Sequence, residues 1–310
     1  MKVSFVIPCY RSAKTIAFVV DEIRTTMAQR PAIDYEVIMV SDHSPDDVYS
    51  VIVELCQNDS DHLRGIELAR NFGQHAALLA GYERSSGDYI VSLDDDGQTP
   101  AAEVWSLIDS LEVNDFDVVY ASYQEKKHSL LRNLESWLND RMACWLLDKP
   151  CDLKVTSFFV MRRFVLDEML RYKQAFPYVI GLVLRTTRNV ANVPVSHRER
   201  LEGVSGYTFL KLLSLWLNGF TAFSVKPLRL ASFVGMVCAM GGFLYGIWTI
   251  VNKLAINPDA PMGYSSLMSV LLFVGGVLML ILGLIGEYVG RIYICLNNSP
   301  QYVISKETGK

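Results

Sequence analysis

Three features of the 310-residue sequence predict an α/β domain with a mostly parallel sheet, followed by an interfacial amphipathic helix and two transmembrane helices. Short apolar, β-prone runs alternate with helical spacings through the first 125 residues. That alternation marks parallel strands joined by helical crossovers. Two runs in the last third carry no charge, 231–252 and 260–286. Each supplies the roughly 20 apolar residues that cross a bilayer, whereas core helices rarely stay charge-free for so long. Just before them lies YTFLKLLSLWLNGFTAF (207–223), apolar with one lysine, as in a helix lying on a membrane.

The elements follow in order. Residues 3–8 form a short apolar strand, and 13–28 space Ile16, Val19, Val20, Ile23 and Met27 along one helical face. A strand at 36–40, a helix at 45–56, a strand at 63–68 and a helix at 73–84 repeat the unit. The strand at 89–93 runs into three aspartates. Pro100 opens the next helix, at a position where its missing N–H costs nothing. Residues 117–121 and 157–161 read as strands and 130–147 as a helix. The expected boundaries are a cytoplasmic domain over 1–206, an interfacial region over 207–228, a helical hairpin over 229–292 and a tail over 293–310.

Charge sets the expected topology. Lys226 and Arg229 precede the first span, and Arg291, Lys306 and Lys310 follow the second, while the connecting loop holds one Lys and one Asp. The positive-inside rule places both flanks in the cytoplasm. A net charge of −4 argues against nucleic acid as a partner. The six cysteines show no CxxC pair and no zinc spacing, and are read as small buried residues in a reducing compartment. GxxxG spacings at Gly242/Gly246 and Gly286/Gly290 allow close helix approach, within one chain or in a homo-oligomer. Glu287 and Arg291 have the spacing of a local i,i+4 ion pair.

The chemistry gathers at strand ends. In VSLDDDGQTP, Asp94, Asp95 and Asp96 stand where a buried strand leaves the core, and like charges so close disfavour one another unless something positive binds. Asp94 and Asp96, one residue apart, offer hard oxygen ligands for Mg²⁺ or Mn²⁺ bridging to substrate phosphates. Asp42, after the second strand, offers acceptors for a base or ribose, or alternatively belongs to a helix cap with Ser44. The first turn, IPCYRSAKTI, has no GxGxxG, which weakens a dehydrogenase reading. His197, Arg198, Arg200, Ser205, Tyr207 and Lys211 form a basic, hydroxyl-rich segment suited to phosphate or to anionic headgroups.

Together these motifs resemble family 2 glycosyltransferases of the polyprenyl-phosphate type, relatives of dolichyl-phosphate mannose synthase and of bacterial prenyl-phosphate glucosyl- and aminoarabinosyl-transferring enzymes. VIPCYRS matches the family opening at Pro8 and Tyr10, SDHS keeps Asp42 and Ser44, and RNFGQHAALLAGYERSSGDYIVSLDDDGQTP matches the family's RNFG and DxD stretch. The resemblance implies a GT-A-like nucleotide-sugar-binding domain. Pro8, Tyr10, Asp42, Arg70, Asp95 and Gln98 are then donor-binding residues, and Asp94 and Asp96 are the catalytic metal and diphosphate site. HRERLEGVSGY, resembling the family's RxxRxxGxSxY, implies that Arg198, Arg200, Ser205 and Tyr207 hold phosphates. Two departures stand out. Ala13 replaces the usual acidic residue after the opening. The segment DLKVTSFFVMRR lacks the Asp before Phe-Arg that often serves as base, which leaves Asp152 as the candidate.

The expected activity is inverting transfer of a sugar from a nucleotide diphosphate, probed first as UDP-sugar, to polyprenyl phosphate. The implied setting is the cytoplasmic leaflet of a bacterial inner membrane, with both termini cytoplasmic. The alternatives are a non-catalytic membrane adaptor that binds nucleotide sugar, and a processive polysaccharide synthase. The latter normally needs more spans and a QxxRW segment.

Overall fold

The run KVSFVIPC forms β1 (Lys2–Cys9), whose Val3, Phe5, Val6, Ile7 and Cys9 are all completely buried. A strand covered by helices on both faces reads as a continuous apolar run rather than an alternation. The computed structural model describes residues 1–123, 144, 149–196, 198, 226–251, 263–297 and 299–309. The chain divides into two compact units, Met1–Gly219 with Asn298–Lys310, and Phe220–Asn297.

In the first unit, β1 is joined by β2 (Asp34–Ser41), β3 (Leu63–Leu68), β4 (Tyr89–Ser92), β5 (Val118–Tyr123), β6 (Phe159–Arg162), β7 (Val190–Val195) and β8 (Ile304–Thr308). The strand order is β7-β5-β6-β4-β1-β2-β3-β8. β1 pairs in parallel with β2 and β4, β2 with β3, and β5 with β7. β6 runs antiparallel between β4 and β5, and β8 antiparallel along β3. The sheet is thus mostly parallel, as expected. The chain winds outward from β1 through β2 and β3, then returns to place β4 on the other side of β1. At such a reversal the loops after neighbouring strands diverge and leave a crevice at their carboxyl ends.

Helices α1 (Ile16–Met27), α2 (Val48–Asn58), α3 (Gln74–Arg84) and α4 (Val104–Val113) connect these strands, α4 entered through a short 3₁₀ turn at Ala101–Glu103. α1 buries Ile16, Val19, Val20, Ile23 and Met27, the one apolar face that its spacing predicts. Trp105 of α4 closes the layer, its indole N–H donating to the Thr26 carbonyl at 3.3 Å.

Several elements differ from expectation. The strand expected at 157–161 starts later, at Phe159. Helices α5 (Arg163–Met169) and α6 (Val179–Thr186) and strand β7 had no counterpart in the sequence reading. The last residues, expected as a tail, contribute β8. The Ala69 N–H donates to the Val303 carbonyl at 2.8 Å, and Lys306 pairs with Glu67 at 2.8 Å. The cysteines are free but not uniformly buried: Cys9 and Cys56 are, Cys144, Cys238 and Cys295 are half-buried, and Cys151 is exposed. The helices expected at 130–147 and 207–223 lie outside the described residues apart from Cys144.

The second unit contains α7 (Lys226–Val251) and α8 (Tyr264–Leu296). Stretches Lys226–Trp248 and Phe273–Leu296 are long and apolar enough to cross a membrane, and among their described residues only Arg291 is buried. α8 extends ten residues past the expected end of the second span at Gly286. Gly235 approaches Ile281, with 3.7 Å between a Cβ placed on the glycine and the isoleucine side chain. The GxxxG glycines Gly242, Gly246, Gly286 and Gly290 border open space instead, with nothing among the described residues within 4 Å. Glu287 and Arg291 form the expected i,i+4 pair at 2.8 Å.

Candidate active site

A cavity of about 440 Å³ opens where the order reverses, between the carboxyl ends of β1 and β4. Pro8, Cys9 and Tyr10 line it from β1, Asp42 from β2, Asn71, Gly73 and Gln74 from the loop into α3, Asp94, Asp95 and Asp96 from β4, and Ser157 from the approach to β6. Most of the lining is therefore carried by the strand ends rather than by the helices.

Asp42 is nearly fully buried, at 4% exposure. Its two carboxylate oxygens accept the N–H groups of Phe72 and Gly73 at 2.7 and 2.8 Å. Gly73 has φ of +93°, a conformation that side chains resist. It turns the chain into α3 so that both amides face Asp42. Burial pushes the Asp42 carboxyl up, against the lowering by the two N–H donors and by His43. Neither cap reading holds, since the residue before α2 is Asp47 and no side chain caps that helix. Ser44 accepts the Arg11 N–H at 2.8 Å and donates to Asp46 at 2.5 Å. Asp46 also takes the Ala13 N–H at 3.0 Å. An acid from the second loop thus braces the turn in which Ala13 departs from the family pattern.

The three aspartates separate by orientation. Asp95 turns back, accepting the Tyr10 N–H at 2.9 Å, while its carbonyl accepts the Thr15 hydroxyl at 2.6 Å. Burial, more than the neighbouring Asp96 charge, pushes its carboxyl up. Asp94 accepts from the Ser157 hydroxyl in a short hydrogen bond and from the Gln74 amide at 3.3 Å. Asp96 accepts the Gln98 N–H at 3.0 Å across Gly97, whose φ of +70° makes the turn. Among the described residues no group of three or more His, Cys, Asp or Glu could hold a metal alone. Two half-buried carboxylates facing one cavity fit an ion whose other ligands a substrate brings.

Other expected residues fall elsewhere. Arg70 is exposed, its guanidinium 4.6 Å from the Phe72 ring, and does not line the cavity. Gln98 contributes its carbonyl, which accepts the Arg198 N–H at 2.8 Å. The Arg198 side chain pairs with Glu22 at 2.6 Å rather than reaching the cavity. Asp152 is exposed in a turn and is not part of the lining. Thr156 spends its hydroxyl on the carbonyls of Ala121 and Phe158. Arg200, Ser205 and Tyr207 lie outside the described residues, as do His197 and Lys211.

Two groups near the cavity are unsuited to chemistry there. Burial pushes the Cys9 thiol well up, so it stays protonated and weakly nucleophilic. Burial pushes His75, behind Gln74, down to about 4, so it is a neutral imidazole. Ser157, Gln74 and Asn71 are cavity residues that sequence reasoning missed.

Comparison with known proteins decides the family. Glycosyl transferase family 2 matches residues 4–170, more than half of the chain. The chain belongs to glycosyl transferase family 2. The family model described as GtrB C-terminal hairpin matches residues 226–292, spanning both apolar helices. The chain is 32% identical over 306 residues to undecaprenyl-phosphate 4-deoxy-4-formamido-L-arabinose transferase of Klebsiella pneumoniae (strain 342), covering 98% of this chain and 93% of that one. The enzyme of the same name from Salmonella typhimurium (strain LT2) is 33% identical over the same coverage. Among solved structures, glucosyl-3-phosphoglycerate synthase from Mycobacterium tuberculosis, in complex with Mn²⁺ and uridine-diphosphate-glucose, superposes with a TM-score of 0.53 at 18% identity, covering 71% of this chain and 77% of that one. Mannosyl-3-phosphoglycerate synthase from Rubrobacter xylanophilus gives 0.50 at 18% identity, with 74% of each chain covered. This family 2 glycosyltransferase therefore has a GT-A-like fold, and its two apolar helices make it a membrane protein.

Proposed function

We propose that this glycosyltransferase moves a sugar from a nucleotide diphosphate donor, UDP-sugar in the first instance, to a polyprenyl phosphate, inverting the anomeric carbon. The observation that carries the reading is the pairing of Asp94 and Asp96 on a cavity at the β1/β4 switch point, in a chain alike over its full length to undecaprenyl-phosphate sugar transferases. The two carboxylates would hold Mg²⁺ or Mn²⁺, the cation present in the M. tuberculosis neighbour. Such an ion neutralises charge on a departing diphosphate. Pro8 and Tyr10 border the donor, Asp42 shapes the loop beneath it, and Arg70 and Gln98 stand at its margin. Arg198, Arg200, Ser205 and Tyr207 are assigned to the acceptor side.

No general base is required. A phosphate monoester has a second pKa near ~6 and is mostly dianionic at neutral pH, so its oxygen attacks without first losing a proton. Positioning and leaving-group stabilisation then carry the rate, which agrees with the exposed place of Asp152. We place α7 and α8 across a bacterial inner membrane, with the catalytic unit and both termini cytoplasmic.

The test is a membrane assay with polyprenyl phosphate, Mg²⁺ or Mn²⁺ and a panel of labelled nucleotide sugars. Label entering lipid from one donor, and lost on chelation, supports the reading and names the sugar. Binding of a nucleotide sugar without transfer from any donor overturns it.

A further inference from the structure

A second cavity, of about 650 Å³, lies in the same unit on different elements: α5, the loop after it, and α6. Buried Met169 and Leu182 form its apolar wall. Arg171, Lys173 and Arg185 line it against one carboxylate, Glu168. None of these residues lines the first cavity.

The cations are available to a ligand. Arg171 is 77% exposed and pairs with Glu168 at 2.9 Å; Lys173 is 65% exposed and pairs with Glu83 at 3.3 Å. Exposed pairs of this kind hold weakly and exchange for a better acceptor. Arg185, in the last turn of α6, is exposed and has no partner among the described residues. The loop between them is fixed from outside. The Gln301 amide donates to the carbonyls of Tyr172 at 2.9 Å and Gln174 at 2.8 Å, the residues on either side of Lys173. β8 begins three residues beyond Gln301, which anchors that brace in the sheet. The cavity is thus formed before any ligand arrives, and its shape does not depend on the ion pairs at its rim.

We propose that this cavity binds the phosphodiester headgroup of an anionic phospholipid. Guanidinium groups match phosphate oxygens in pairs, and lysine adds a point charge. Gln301, which braces the cavity loop, follows five residues after Leu296, the end of a helix long and apolar enough to cross a membrane. Anionic headgroups are the concentrated phosphates at a membrane surface, and basic groups there are drawn to them. The site needs neither sugar donor nor polyprenyl acceptor, so it stands apart from the transfer reaction.

The test uses the full chain in detergent, with native mass spectrometry counting bound phosphatidylglycerol and phosphatidylcholine at equal concentration. The wild type should retain phosphatidylglycerol about tenfold better than the double variant Lys173→Glu/Arg185→Glu, with phosphatidylcholine bound equally by both. Lys173→Gln/Arg185→Gln, which removes charge without reversing it, gives the same comparison if the first variant folds poorly. Equal retention of phosphatidylglycerol by wild type and variant overturns the proposal. So does displacement of the lipid by millimolar inorganic phosphate or UDP, since that assigns the cavity to a soluble phosphate. Transfer activity in detergent should be unchanged in either variant. Because the readout is lipid retention, failure of the proposed reaction leaves this result standing.

Discussion

The ends of β2 and β4 both deliver carboxylates to one cavity, and they use them differently. At β2, Asp42 has both oxygens engaged by backbone N–H groups of the loop into α3. At β4, Asp95 and Asp96 each accept one backbone N–H, from Tyr10 and Gln98, while Asp94 takes bonds from the side chains of Ser157 and Gln74. Backbone donors cannot leave without unmaking the loop. Side-chain donors can turn aside for a ligand. Asp42, with both oxygens on backbone N–H groups, builds the site, whereas Asp94, held by side chains that can turn aside, is placed to act in it.

Substitution breaks the comparison most sharply at Asp96 and Asp42. Asp96→Asn should cut turnover by roughly 10²–10³-fold and leave the unfolding temperature almost unchanged. Asp42→Ala should instead strand two half-buried N–H groups, a loss of about 2–4 kcal/mol at roughly 1–2 per group, and lose activity along with stability. Thermal unfolding and label transfer on the same preparations separate them. An Asp42→Ala protein as stable as wild type but unable to bind donor would make Asp42 a ligand contact, and the contrast between the two strand ends would vanish.

Ser157 sharpens the contrast within β4. If its hydroxyl orients Asp94, Ser157→Ala should lower kcat by about tenfold, the lower end for partners that orient metal ligands, with little change in donor KM. Ser157→Thr, which keeps the hydroxyl, should recover part of the loss. A change confined to KM would instead make Ser157 a substrate contact.

That residue also shows where sequence reasoning stops. β4 pairs antiparallel with β6 in a register that sets Ser92 opposite Phe159. Continued two residues past β4, the same register sets Asp94 opposite Ser157. The hydroxyl was visible in the sequence, but its partner was not, because the pairing joins segments more than 60 residues apart. β8 was hidden for the same reason: ISKET is polar enough to read as a tail, and its pairing with β3 is made across the length of the chain. By contrast, β3, α1 and the aspartate cluster were legible because their signals are local, in apolar runs, helical spacing and adjacent acids. Arg70 shows the limit even of a local motif. The RNFG turn is where it was expected, but the backbone that gives two amides to Asp42 leaves Arg70 outside, over Phe72.

The smallest expected effect concerns pH, and its sign tests the same contrast. Burial raises the Asp42 carboxyl, so the native state holds that proton more tightly than the unfolded chain. The cost of its charge is fully present above the raised native value and is relieved as pH falls through it. Asp109 is the opposite case. Its bonds to Arg30 at 2.6 and 2.7 Å hold its carboxyl below the ordinary range, so its contribution is present at neutral pH and is lost as pH falls through its native value. Between about pH 7 and about pH 4, the stability penalty of Asp42→Asn should therefore grow with acid. That of Asp109→Asn should begin to shrink as the ordinary carboxylate range is approached. If both penalties shrink, the two backbone donors outweigh burial at Asp42, and that carboxylate is a stabilised anion like Asp109.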